Sequence, residues 1–79
     1  MTDEEKAKHT DPFIELAKED PIVRYFAYAH LPERLQPTSK PFGDLALHLC
    51  ATVPRCAERT AALRKLLEAK DCAVRAALP

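Results

Sequence analysis

Four residue–proline junctions decide what this chain can fold into. Asp11-Pro12 and Asp20-Pro21 each read as a helix N-cap followed by proline at the first helical position. There the missing amide is not needed and the ring presets φ for a helix. Leu31-Pro32 and Val53-Pro54 act in the opposite sense, because a proline pushes the residue before it out of helical geometry. The spacing predicts a short helix from Phe13 to about Glu19, presenting Phe13, Ile14, Leu16 and Ala17. A second helix restarts at Pro21 and places Ile22, Tyr25, Phe26 and Ala29 on one face. It breaks or bends at Leu31-Pro32.

Glu33 to Lys40 reads as a connector in which Pro37 and Pro41 bound Thr38, Ser39 and Lys40, with Ser39 as N-cap of the next helix. That helix gathers Phe42, Leu45, Ala46, Leu49, Cys50 and Val53 on one face, with Leu47 pointing away. Gly43, the sole glycine, falls in its first turn. The last helix runs from about Arg55 to Leu78 and carries Leu63, Leu66, Leu67, Cys72, Val74 and Leu78. Arg64, Glu68, Asp71 and Arg75 form a charged stripe, with Asp71 and Arg75 paired at i, i+4. At a rise of 1.5 Å per residue it spans about 35 Å, against about 20 Å for the helix before it. The overhang must be covered by the N-terminal helices or by a second protomer. Alanines at 57, 61, 62, 69, 73, 76 and 77 allow close helix approach on several sides, which favours self-association. The expectation is an all-α single domain over 1–79, with short N-terminal helices packed on a long antiparallel helical hairpin and residues 1–10 frayed.

Composition narrows the function classes. Alanine and leucine dominate while Val, Ile and Thr are sparse, which favours helix over sheet. The 12 Lys and Arg balance the 12 Asp and Glu, so the chain lacks the basic excess of a general DNA binder. No stretch is apolar enough to span a bilayer, and the N-terminus lacks the apolar core of a signal peptide, so the expectation is a soluble, intracellular protein without a membrane partner. Cys50, Cys56 and Cys72 lack Cys-x-x-Cys spacing and read as buried, reduced thiols. A zinc site would need a fourth ligand, with His48 the nearest histidine, and no metal is expected.

Tyr25 to Lys40 concentrates the residues with chemistry to offer: two tyrosines, a histidine, hydroxyls and a lysine. Tyr25 is either a core residue with its hydroxyl at the surface or a face on which a base stacks. Tyr28, three residues on, is its neighbour. Lys40, beside Thr38 and Ser39 at a helix entrance, is either a solvated lysine in a capping turn or a phosphate contact. His30 has no acid or nucleophile beside it by helical spacing and reads as structural. Arg75, near Lys70 and Asp71, is a solvent-facing charge unless helices assemble around a symmetry axis. No Walker loop, Gly-x-Ser-x-Gly elbow, His-Glu-x-x-His or paired carboxylates occur. The expectation is a protein without catalytic residues or cofactor, not an enzyme.

The strings Tyr25-Phe-Ala-Tyr-Ala-His-Leu-Pro32, Leu35-Gln36, Ser39-Lys-Pro-Phe42, Leu45-Ala46 and Ala57 to Ala76, with its Ala-Lys-Asp-x-x-Val-Arg-Ala ending, resemble the phage anti-CBASS cyclic-nucleotide sponges. The same hairpin domain occurs in the related anti-Thoeris sponges. The likeness covers roughly residues 21 to 78. It implies a helical homohexamer in the cytoplasm of the infected bacterial host, sequestering cyclic oligonucleotide signals without cleaving them. Cyclic dinucleotides such as 3′,3′-cyclic GMP-AMP would sit between protomers, an aromatic ring stacking on a base and a lysine contacting phosphate. The resemblance assigns these roles to Tyr25 and Lys40, with Tyr28 competing for the aromatic position and Ser39 beside the lysine. It offers Arg75 for a separate cyclic-trinucleotide pocket, and leaves a cyclic ADP-ribose isomer open as ligand. The alternative is a helical module that holds a protein partner through its surplus apolar surface.

Overall fold

The computed structural model describes residues 11–79; the expectation that residues 1–10 fray lies outside them. The described chain is mostly helical and has no strand. Helix α1 spans Pro12–Ala17, α2 spans Gln36–Thr52 and α3 spans Ala57–Ala77, with 3₁₀ turns at Pro21–Phe26 and Glu33–Leu35. No helix among the described residues is long and apolar enough to cross a membrane.

Helix α1 begins as its proline signal requires. The Asp11 carboxylate accepts the Phe13 amide at 2.8 Å, and the Asp11 carbonyl accepts those of Ile14 and Glu15. Six residues are too few to hold a helix unaided, so its stability comes from Phe13, which is buried. Asp20-Pro21 starts a 3₁₀ helix instead of an α-helix. Its three-residue period puts Val23 and Phe26 on one side, both fully buried, and turns Tyr25 outward. The expected face of Ile22, Tyr25, Phe26 and Ala29 is therefore corrected. The β-branched pair Ile22-Val23 weakens α-helical propensity, and the helix is over by Ala27, whose backbone is extended.

Helix α2 starts at Gln36, earlier than the sequence reading placed it, with Pro37 in its first turn and Pro41 inside. Prolines this near an N-terminus forfeit few helical bonds, which is why they do not delimit a connector here. Ser39 is consequently a buried helical residue and not the N-cap, and its hydroxyl has no hydrogen-bond partner. Gly43 moves from the first turn to the helix interior. A Cβ there would lie 2.8 Å from Phe13 Cζ and 3.1 Å from the Phe26 carbonyl oxygen. The fully buried face of α2 is thus the small-residue stripe Ser39, Gly43 and Ala46. Phe42, Leu49 and Cys50 flank it, Leu47 packs against the core, and Leu45 stands exposed. The expected positions of Leu45 and Leu47 are reversed, because the stripe lets Phe13 and Phe26 press close to the helix axis.

Helix α3 packs on α2 and contributes Leu63, fully buried, with Leu66 and Leu67 partly covered. Its 21 residues and the 17 of α2 give lengths of about 31 and 25 Å. The mismatch is therefore smaller than the sequence suggested. Cys56 and Cys72 are exposed and Cys50 is half-buried, which corrects the reading of all three as buried. Burial raises the Cys50 thiol above its ordinary pKa, a shift that nearby Arg59 opposes, so it stays protonated near neutrality.

The polar joint of the fold is Arg59, which is 5% exposed. Its guanidinium donates to Asp20 Oδ2 at 2.7 Å and to the carbonyls of Val53 at 3.2 Å and Cys50 at 3.4 Å. One side chain on the first turn of α3 thereby caps the end of α2 and anchors the junction after α1. Arg55 supports the same place, its Nε 3.7 Å from Asp20 Oδ1 and its guanidinium donating to the Glu19 carbonyl at 3.1 Å.

Two stability measurements test this packing. Gly43→Ala in an open helix would stabilise by roughly 1 kcal/mol, but the clash with Phe13 and the Phe26 carbonyl is expected to reverse the sign and cost about 1–2 kcal/mol net. Urea unfolding reads the difference, and a gain would mean the Gly43 notch does not set the α2 packing distance. Arg59→Met is expected to cost up to about 3–5 kcal/mol, because it leaves Asp20 with only the more distant, exposed Arg55 and removes the donor to the Val53 and Cys50 carbonyls. Adding Asp20→Asn should recover much of that loss if the ion pair is the cause.

Candidate ligand-binding site

The segment between the two 3₁₀ turns is shaped by a few local bonds. Leu31 donates its amide to the Tyr28 carbonyl at 3.0 Å, closing a turn before Pro32. The Gln36 side-chain amide, on the first turn of α2, donates to the carbonyls of Leu31 at 3.0 Å and Ala29 at 3.4 Å. Phe13 meets Tyr28 edge to face, with ring centroids 5.8 Å apart. These contacts hold Tyr28 and the turn that follows it ahead of the second 3₁₀ turn and α2.

Two hollows border this segment. The first, of about 820 Å³, is lined by Tyr28, Glu33, Arg34, Gln36, Pro37 and Lys40. It is a shallow groove over the first turns of α2. Lys40 Nζ lies 2.6 Å from Asp44 Oδ2, one helical turn on. The hydrogen bond to Asp44 raises the Lys40 pKa, and the charges of Asp44 and the Tyr28 phenol reinforce it. Lys40 is thus a cation throughout the neutral range, held by an exposed carboxylate that an incoming anion would have to displace. The second hollow, of about 440 Å³, is lined by Arg24, Tyr25, His30, Leu67, Lys70 and Asp71. Tyr25 is 57% exposed, and the Arg24 guanidinium sits 5.6 Å from its ring centroid.

The sequence-derived residues are therefore divided. Tyr28 and Lys40 share the first groove, while Tyr25 belongs to the second hollow and does not line the first. Tyr25 is exposed in the chain, so it is not a core residue. Ser39 is fully buried and lines neither hollow, so it offers no contact at the surface of a single chain. Arg75 also lines neither; its guanidinium donates to Cys72 Sγ at 3.4 Å. The expected Asp71–Arg75 pair is not formed, since Asp71 Oδ1 pairs with Lys70 Nζ at 3.0 Å.

Residues that sequence reasoning did not place at the site are Arg24, Glu33, Arg34, Gln36 and Lys70. Arg24 and Arg34 flank the aromatic segment and were open to notice as cations beside tyrosines. Lys70 gave no such signal, because only the tertiary fold brings it to Tyr25. Among the described residues no group of three or more His, Cys, Asp and Glu side chains is arranged to hold a metal ion.

What the arrangement offers chemically is stacking and anion pairing. Tyrosine rings lie beside guanidinium and ammonium donors in hollows of the size that small ligands use. No family model matches the chain, and no curated protein or solved structure resembles it significantly.

Proposed function

We propose that this chain is a sponge for cyclic oligonucleotide second messengers, cyclic dinucleotides such as 3′,3′-cyclic GMP-AMP first and cyclic trinucleotides second. It holds them reversibly and intact, and so blocks CBASS-type antiphage signalling in the cytoplasm of an infected bacterium. The observation that carries the reading is the placement of a tyrosine beside cations in each of two hollows flanking one short segment, Tyr25 exposed and Tyr28 half-buried. Aromatic faces take bases whatever their identity, and ammonium and guanidinium groups take phosphates.

On this reading the working unit is a homo-oligomer, a hexamer by resemblance, with helices α2 and α3 forming the shared hairpin. Tyr25 and Lys40 line different hollows of one chain. A dinucleotide that contacts both residues is best served where one protomer meets another. Neutral net charge suits the task, since a sponge needs local cations and gains nothing from a basic surface that would draw in DNA. No catalytic step is required. Sequestration depends on affinity and copy number.

A second reading, a helical module for a protein partner, draws on Ile14, Leu45 and Leu78, which are each about half exposed. Surface apolar residues scattered singly are common, and that keeps this reading second.

Titration calorimetry with 3′,3′-cyclic GMP-AMP tests the proposal. Wild type is expected to bind tightly and release unaltered nucleotide. Tyr25→Ala should lose about 1–3 kcal/mol of binding, roughly a 5- to 150-fold weakening, and Lys40→Ala a comparable amount. Absence of heat with this ligand, with cyclic triadenylate and with cyclic ADP-ribose isomers would remove the sponge reading in favour of the protein-binding module. Asp44→Asn provides a check with opposite sign. It frees Lys40 from its competing carboxylate and is expected to tighten nucleotide binding a few-fold, whereas a structural Lys40–Asp44 pair would leave affinity unchanged.

A further inference from the structure

Lys70 is the best-covered lysine seen in an ion pair here. Its side chain is 12% exposed, yet its one ion-pair partner among the described residues is the adjacent Asp71, whose own side chain is about half exposed. An ammonium removed from water loses solvation that a single half-solvated carboxylate only partly restores. It also has three donors to place, and one carboxylate oxygen does not occupy them. Arg24 is a second underused cation. No carboxylate among the described residues forms a salt bridge with it, and its guanidinium rests near the Tyr25 ring.

These two cations line one hollow with the Tyr25 face, His30 and Leu67, and Asp71 is the sole carboxylate in its wall. The hollow is therefore locally positive on a chain whose net charge is zero. Its wall combines an aromatic plane, an apolar side chain and donors, the set that a phosphorylated aromatic ring needs. At about 440 Å³ it lies toward the small end of small-ligand pockets. The other hollow presents Arg34 and Lys40, with Glu33 in its wall and Lys40 already paired with Asp44.

We infer that the Tyr25 hollow is a nucleoside-phosphate site whose contacts all come from one chain, with Tyr25 stacking the base and Arg24 and Lys70 holding the phosphate. Leu67 backs the base, and His30 lies at the wall as a further polar contact. The nucleotide class rests on the sponge reading, but the cations are new: Tyr25 works with Arg24 and Lys70, and Lys40 serves the neighbouring groove. A ligand bridging two copies would then place one nucleotide in each protomer's Tyr25 hollow or in the groove beside it.

The test uses the full chain, with 3′,3′-cyclic GMP-AMP and guanosine and adenosine 5′-monophosphates as probes. Arg24→Gln changes an exposed side chain and should leave the fold intact; circular dichroism and the melting point verify Lys70→Gln. Both variants are expected to weaken cyclic GMP-AMP binding by about tenfold or more, as loss of a charge-assisted contact does. Monophosphates should saturate at one per chain, more weakly, and show the same dependence on Arg24. Wild-type binding that both folded variants retain would overturn this inference and leave the sponge reading standing. Failure of wild type to bind any nucleotide would overturn both, and binding of a phosphotyrosine peptide in their place would reassign the hollow to protein recognition.

Discussion

The bond on which the fold depends is the largely buried Asp20–Arg59 pair. Among the described residues the buried apolar side chains are few and two are alanines: Phe13, Val23, Phe26, Ala27, Leu35, Ala46 and Leu63. A core of that size stabilises compaction without dictating one arrangement of short elements. Arg59 supplies the missing direction, since its planar fork satisfies Asp20 and two carbonyls at the end of α2 together. A lysine has no such geometry. Burying the pair carries a desolvation cost, so its contribution lies more in fixing which ends meet than in net stability.

With that joint made, the N-terminal elements have little freedom. Asp20 is committed to Arg59 and does not cap the helix that follows it. Val23 and Phe26 drop into the core from a 3₁₀ turn, and Phe13 fills the notch left by Gly43. The same three-residue period that buries Val23 and Phe26 sends Tyr25 outward beside Arg24. Surface presentation of the tyrosine is thus a consequence of how the core is closed. It is not a separate design of the segment.

The helical class, the Asp11-Pro12 start and the stop before Pro54 were legible because each rests on local chemistry within a few residues. Register was not. Apolar periodicity marks the large side chains, whereas the closest contacts on α2 are made by Ser39, Gly43 and Ala46, which periodicity ignores. An α-helical period also fits Ile22, Tyr25 and Phe26 as well as a 3₁₀ period fits Val23 and Phe26, so pattern alone could not choose. Arg59 looked like one more surface charge, since its partner lies 39 residues away. For the site, the resemblance joined Tyr25 and Lys40 in a pocket between protomers, and within one chain the two residues line different hollows. Lys70 comes to Tyr25 only through the packing of α3 on the 3₁₀ turn.

The neutral charge of the chain takes on a specific meaning at the two hollows. Lys40 carries Asp44 beside it and Lys70 carries Asp71, so each lysine is partly neutralised by an exposed neighbour. A single phosphate arriving at Lys40 competes with a carboxylate already in place and gains little, and at Lys70 it competes with Asp71 but also meets Arg24, which forms no salt bridge with a described carboxylate. A ligand with two phosphates and two bases, as in the proposed function, adds stacking on tyrosine to both exchanges, and its second contact forms at high effective concentration. Carboxylates beside the lysines would then disfavour the abundant mononucleotides and inorganic phosphate of a cell while costing a cyclic dinucleotide proportionately less. Selectivity on this argument comes from weak, partly masked cations used in combination, and a more basic surface would give it up.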